Sequence, residues 1–188
     1  MDIRWHGVTT LSSIDFTCGY CGNLVVSDRG IFSNAPLEGY QAFIYICPHC
    51  AKPSFFHNNY QYPDAAPGNQ VNHVPENVNL LYNEARNCVA SSCYTASVLA
   101  CRKLLMNIAV TQGAKEGLKF IEYIDFLASS GYVPPNGKGW VDHIRKKGNE
   151  ATHEILSMSH DDATELVSFS EMLLKFIYEF PARVPAAK

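Results

Sequence analysis

Two Cys-x-x-C pairs, Cys18-Gly-Tyr-Cys21 and Cys47-Pro-His-Cys50, constrain this chain more than any other feature. Each pair predicts a tight turn that points two sulfurs inward. Glycine follows Cys21, which lets the backbone there adopt a positive φ, whereas Ala51 follows Cys50. Between the pairs, Leu24-Val25-Val26 and Ala42-Phe43-Ile44-Tyr45-Ile46 read as strands. Phe55-Phe56 reads as a third short strand. Two paired motifs at this separation suit tetrahedral four-thiolate coordination. The predicted cofactor is one structural Zn²⁺ per chain, held by Cys18, Cys21, Cys47 and Cys50. Rubredoxin-type iron is the competing metal, and redox chemistry of isolated Cys-x-x-C pairs is the weaker alternative. His49 and His57 are expected outside the ligand set. A module this small has too few apolar residues to fold without metal.

The other three of the seven cysteines, Cys88, Cys93 and Cys101, lie in helical sequence without metal spacing. They are expected as small buried apolar residues. An odd cysteine total argues against a disulfide framework. The first residues carry no charged-then-apolar leader, and no run approaches the roughly 20 apolar residues of a membrane span. The expectation is a cytoplasmic, soluble, globular protein without a membrane partner. With a net charge of −3, any nucleic-acid contact has to come from a local basic patch, since phosphate neutralisation dominates that affinity.

Residues 57–74 are rich in Asn, Pro and Gly and read as an extended linker. From Pro75 the pattern turns helical. Val78, Leu81, Tyr82, Ala85, Cys88 and Val89 make one apolar stripe. A second helix over 92–111 carries the small residues Ala96, Ser97, Ala100 and Cys101, which permit close approach to a neighbour. A third helix holds Leu118, Ile121, Ile124 and Ala128 and stops near Gly131. A fourth starts near Gly139-Trp140 and buries Trp140, Ile144 and Ala151. Ser159 and Asp162 form a capping box for the last helix, which is expected to stop before Pro181. The fold class is α+β, mainly α. A small β zinc ribbon (1–56) and a linker (57–74) precede an antiparallel bundle of about five helices (75–181) and a tail (182–188).

Arg145, Asn149 and His153 stand at i, i+4 and i+8, one face of the fourth helix. Asn149 can orient the imidazole, and histidine moves protons near neutral pH. RNA cleavage through a 2′-hydroxyl needs a base, an acid and a cation, and no metal. The blander reading is that His153 caps the helix end and that Arg145, Lys146 and Lys147 are a solvated basic face. Arg102 is either an ion-pairing residue or part of a site.

The ribbon, the Pro-containing linker, Arg102-Lys103-Leu104 and the segment Ile144-Arg-Lys-Lys-Gly-Asn-Glu-Ala-Thr-His153 together resemble the domain-of-unknown-function 4145 family. The Gly-Asn-x-x-x-His part is the most specific. That family is similar to the HEPN superfamily of small helical bundles. The resemblance implies a homodimer and, in many members, metal-independent endoribonuclease activity in toxin–antitoxin, anti-phage and RNA-processing systems. The superfamily motif is Arg, a polar residue, three residues, then His. Asn149 and His153 match it, Gly148 stands at the arginine position, and Leu105 stands where the second helix usually carries glutamate. The implied function is a homodimeric module binding RNA, DNA or a partner protein in a defence or stress system, with Lys146, Lys147 and Arg102 as candidate contacts. The alternatives are an endoribonuclease using His153, Asn149 and Arg145, and a protein-interaction scaffold.

Overall fold

The structure is a computed structural model that describes residues 4–134, 138–153 and 157–184. The side chains of residues 138, 145 and 148–153 lie outside that description. The chain divides into two compact units, Met1–Ala66 and Pro67–Lys188.

The first unit is a five-stranded antiparallel meander in sequential order, β1 (Thr9–Thr17), β2 (Leu24–Phe32), β3 (Ala42–Ile46), β4 (Pro53–His57) and β5 (Tyr60–Tyr62). Phe16, Val25 and Tyr45 are buried together with Cys18 and Cys47. The Phe56 ring meets Phe16 edge-on at 5.1 Å and Tyr45 at 5.6 Å, the geometry that aromatic quadrupoles favour. Strands β1 and β5 have no counterpart in the expectation. Both sit at the sheet edges, and β1 has an irregular register between Thr10 and Ile14. An edge strand with most of its side chains exposed has no apolar alternation to read.

The second unit contains α1 (Glu76–Ala90), α2 (Tyr94–Thr111), α3 (Phe120–Ser129), α4 (Lys138–His153) and α5 (His160–Leu174). Helix α2 is central and packs against all four others. Its Val98, Cys101, Leu104, Leu105 and Ile108 are fully buried. The small-residue face brings α1 close, and the Ser97 hydroxyl donates to the Ala85 carbonyl at 2.8 Å. Trp140 on α4 lies edge-on to Phe169 on α5 at 4.9 Å. Ser159 caps α5 with the expected reciprocal box to Asp162.

Two expectations need correction. The last helix does not stop before Pro181. It widens into a π turn over Lys175–Glu179 and continues as α6 (Phe180–Arg183). Proline has no N–H for an i→i−4 bond and its ring crowds the carbonyl four residues back; a π turn just ahead of it relieves that crowding. The stretch 57–74 is not an open connection either. It contributes β5 to the sheet, and Val71 is buried in the helical core. Its polar residues are tied down by hydrogen bonds rather than by apolar periodicity: the Asn69 amide donates to Glu171 at 3.0 Å and that of Asn72 to Glu179 at 2.9 Å.

Candidate metal centre

The two Cys-x-x-C turns are built alike. In the first, the Gly22 amide donates to the Cys18 carbonyl at 2.8 Å and the Cys18 amide to the Asn23 carbonyl at 2.9 Å. In the second, Ala51 donates to Cys47 at 2.9 Å and Cys47 to Lys52 at 3.0 Å. Both turns close through a residue of positive φ, +69° at Gly22 and +57° at Ala51. Gly19 is required for a different reason. A Cβ there would lie 2.4 Å from the Pro63 carbonyl oxygen, because the chain after β5 passes directly over the turn.

The turns bring four sulfurs together. The Sγ atoms of Cys18 and Cys50 are 3.7 Å apart and those of Cys21 and Cys47 3.8 Å. All four lie within 4.8 Å of one another. A tetrahedral ion with metal–sulfur bonds of about 2.3 Å has sulfur–sulfur edges of about 3.8 Å, so the donor set fits such an ion. Cys18 and Cys47 are buried, while Cys21 and Cys50 reach the surface in part. Burial pushes the Cys18 thiol up to about 12. Burial also acts upward on Cys21, but the Asn23 side-chain and backbone donors outweigh it and bring that thiol down to about 6. Burial raises Cys50. Thiols this close resist ionising together, and a bound cation removes that resistance. His49 Nδ1 meets the Asn23 amide nitrogen at 3.2 Å, and His57 Nε2 meets the Leu37 carbonyl at 2.7 Å. Neither joins the sulfur cluster.

Ala51 carries the left-handed cost that Gly22 avoids. For an L-residue this is about 1–2 kcal/mol, offset in part by the greater freedom of glycine in the unfolded chain. Ala51→Gly is therefore expected to stabilise the first unit by about 1 kcal/mol. A denaturant midpoint that moves down instead of up refutes this.

The second candidate cluster lies along α4. His143 and Lys147, one turn apart, run against Glu165 and Asp162 of α5, so these two helices are antiparallel. Lys147 Nζ is 3.0 Å from Asp162 Oδ1. His143 Nε2 is 2.8 Å from Glu165 Oε2. That is ion-pair distance for a protonated ring, although the ring N–H does not aim along a hydrogen bond. Asp162 is held below the usual carboxylate range. Burial acts upward on it, but Ser159 and Lys147 outweigh that. The Arg102 guanidinium lies 4.5 Å over the Phe120 ring, and partial burial lowers its pKa. Lys146 is exposed.

The side chains of Arg145, Asn149 and His153 lie outside the described residues. Their positions on the α4 backbone keep the i, i+4, i+8 register, roughly opposite Lys147 on the helical wheel. The model of a family described as Domain of unknown function (DUF4145) matches residues 83–188, more than half of the chain. The chain belongs to this family. No curated protein and no solved structure matches the chain.

The DUF4145 match begins inside α1 and takes in α2 to α6, so the cysteine cluster lies outside it. Within the DUF4145 region, sequence reasoning passed over His143 and Glu165. The signal was present as His-x-x-x-Lys on one helix and Asp-x-x-Glu on the next. It becomes legible only once α4 and α5 are known to be antiparallel neighbours.

Proposed function

We infer that this DUF4145 protein carries a structural zinc ribbon and a HEPN-like bundle, and that it acts as a homodimeric module binding nucleic acid or a partner protein in a bacterial or phage-borne defence or stress system. The four-sulfur cluster carries the zinc part of this reading. Zinc is borderline-soft, accepts four thiolates and has no geometric demand beyond the tetrahedron. Cys18, Cys21, Cys47 and Cys50 would hold one ion per chain. A closed shell leaves no position for water or substrate, so its role is to hold the sheet together.

What supports binding over catalysis is the α4 segment. Gly148 stands where the superfamily motif places its arginine. Two of the candidate cations are engaged elsewhere, Lys147 with Asp162 and Arg102 over Phe120. Two measurements test the reading. Metal analysis of the purified chain is expected to return one zinc per chain; iron, or no metal, removes the ribbon assignment. Binding to a short single-stranded RNA is expected to weaken with salt, log K falling by about 0.7 per phosphate contact for each unit of log salt. A slope near zero removes the nucleic acid and leaves the protein partner.

A metal-independent endoribonuclease is the second reading, and one observation favours it. Helix α4 runs unbroken from Lys138 to His153, which keeps Arg145, Asn149 and His153 in one row. His153 would transfer the proton, Asn149 would orient it, and Arg145 would meet the phosphate. RNA cleavage in magnesium-free buffer that drops about 10²–10⁴-fold in His153→Ala establishes this activity. Cleavage untouched by that change excludes the site.

A further inference from the structure

We propose that Cys88 and Cys93 form a reversible dithiol–disulfide pair that locks the corner between α1 and α2, its oxidant a low-molecular-weight disulfide of the glutathione class. The corner is a Schellman motif. Cys93 N–H donates to the Cys88 carbonyl at 2.7 Å and Ser92 N–H to the Val89 carbonyl at 2.9 Å. Ser92 takes the left-handed conformation at φ +59°. In this motif the side chains of the first and sixth residues are frequently in contact, and here both are cysteines.

The hydrogen bond sets an upper limit on the backbone separation. N–Cα is about 1.46 Å and Cα to carbonyl oxygen about 2.4 Å, so with the 2.7 Å bond the two Cα atoms are at most about 6.6 Å apart. Disulfides span Cα distances of about 4.4–6.8 Å. Cys93 is exposed and Cys88 partly so. Burial raises the Cys88 thiol, and the Cys93 charge raises it further, as expected of neighbouring sulfurs. Cys101, the remaining cysteine of the helical unit, is fully buried.

The exposed member attacks first. The Cys93 thiolate attacks one sulfur of the oxidant, forming a mixed disulfide and releasing one small thiolate. The Cys88 thiol gives its proton to solvent and attacks the Cys93 sulfur, forming the intramolecular bond and releasing the second small thiolate. Two protein thiols lose two electrons and two protons, and the oxidant disulfide is reduced to two thiols.

The corner has a structural reach. Tyr94 meets His160 edge-on at 5.6 Å, and the Thr95 hydroxyl accepts the Met158 amide at 3.1 Å. The first turn of α2, next to Cys93, therefore supports the connection that leads into α5.

The test treats the intact chain with oxidised glutathione and maps the peptide spanning residues 87–102 by fragmentation mass spectrometry under non-reducing conditions. The expected product is lighter by two hydrogens, with the bond between positions 88 and 93 and Cys101 unmodified. Cys88→Ser is expected to stop at glutathione on Cys93, and Cys93→Ser to react roughly tenfold more slowly or not at all. Amide exchange at Met158 is expected to slow several-fold on oxidation of the wild type, and not in Cys88→Ser. A wild-type product that stops at the mixed disulfide, or a bond through Cys101, overturns the pair. Unchanged exchange at Met158 overturns the coupling to the α5 connection.

Discussion

Chelating the proposed metal, or replacing Cys47 by serine, is expected to unfold the sheet of the first unit. The buried cluster there consists of Phe16, Val25, Tyr45 and two of the cysteines themselves, Cys18 and Cys47. These three side chains, with the partly buried Leu11, Ile14, Phe43 and Phe56 packed on them, cannot offset the backbone entropy of ordering a five-stranded meander, at about 1–2 kcal/mol per residue. A structural four-thiolate zinc site supplies an apparent 10–16 kcal/mol, about the size of a whole domain's net stability. Cys47, like Cys18, is fully buried, so its replacement leaves a polar hydroxyl in the centre of the cluster. Serine there is a hard, neutral hydroxyl where the ion needs a thiolate. The check is amide exchange across β1 to β5 before and after metal chelation. Protection that survives chelation sinks both the metal assignment and the claim that the sheet depends on it. The Ala51→Gly change provides a control of opposite sign in the same turn.

The cysteine pairs, the mixed α+β class and the helical stripes were legible because each has a local signature. The Cys-x-x-C turn needs only four residues and the apolar helix a period near four. Ser159 and Asp162 were legible for the same reason. What escaped was non-local or edge-bound. β1 presents mostly exposed side chains, and its partner β2 fixes its register from outside. The segment before α1 looked like a linker because it is rich in Asn, Pro and Gly, yet its Asn69 and Asn72 bond to acids roughly a hundred positions later. Pro181 looked like a stop signal, and the π turn let the helix pass it. At the candidate polar face, spacing placed Arg145, Asn149 and His153 in one row. It could not reveal that Lys147 is paired with Asp162, because that depends on which helix packs against α4.

The same hidden segment carries the second large prediction. Arg86 is buried on α1. Its Nε donates to the Pro67 carbonyl at 2.7 Å, its Nη2 to the Gly68 carbonyl at 2.8 Å and its Nη1 to the Asn83 side chain at 3.0 Å. Its guanidinium also lies over the Tyr82 ring at 5.5 Å. Gly68 leaves no room for an alternative path, since a Cβ would sit 2.8 Å from the Tyr82 hydroxyl. Arg86→Ala removes charge-assisted bonds worth about 1.5–3 kcal/mol each and strands two carbonyls, so a loss of about 3–4 kcal/mol is expected. Arg86→Lys keeps the charge but not the planar fork, and should fall between alanine and wild type. Glu171 holds the other side of the segment. Burial acts upward on its carboxyl, but Lys175 and Asn69 outweigh that and lower it. A lowered folded-state pKa means that this stabilisation is present above the ordinary glutamate range and lost as pH falls through the folded value. Glu171→Gln should therefore be less stable than wild type at neutral pH and converge with it in acid. Urea midpoints across that range decide the matter. An Arg86→Ala loss below about 1 kcal/mol, the worth of a single ordinary hydrogen bond, or a Glu171→Gln gap that persists in acid, shows that residues 67–74 are held by something other than this clamp.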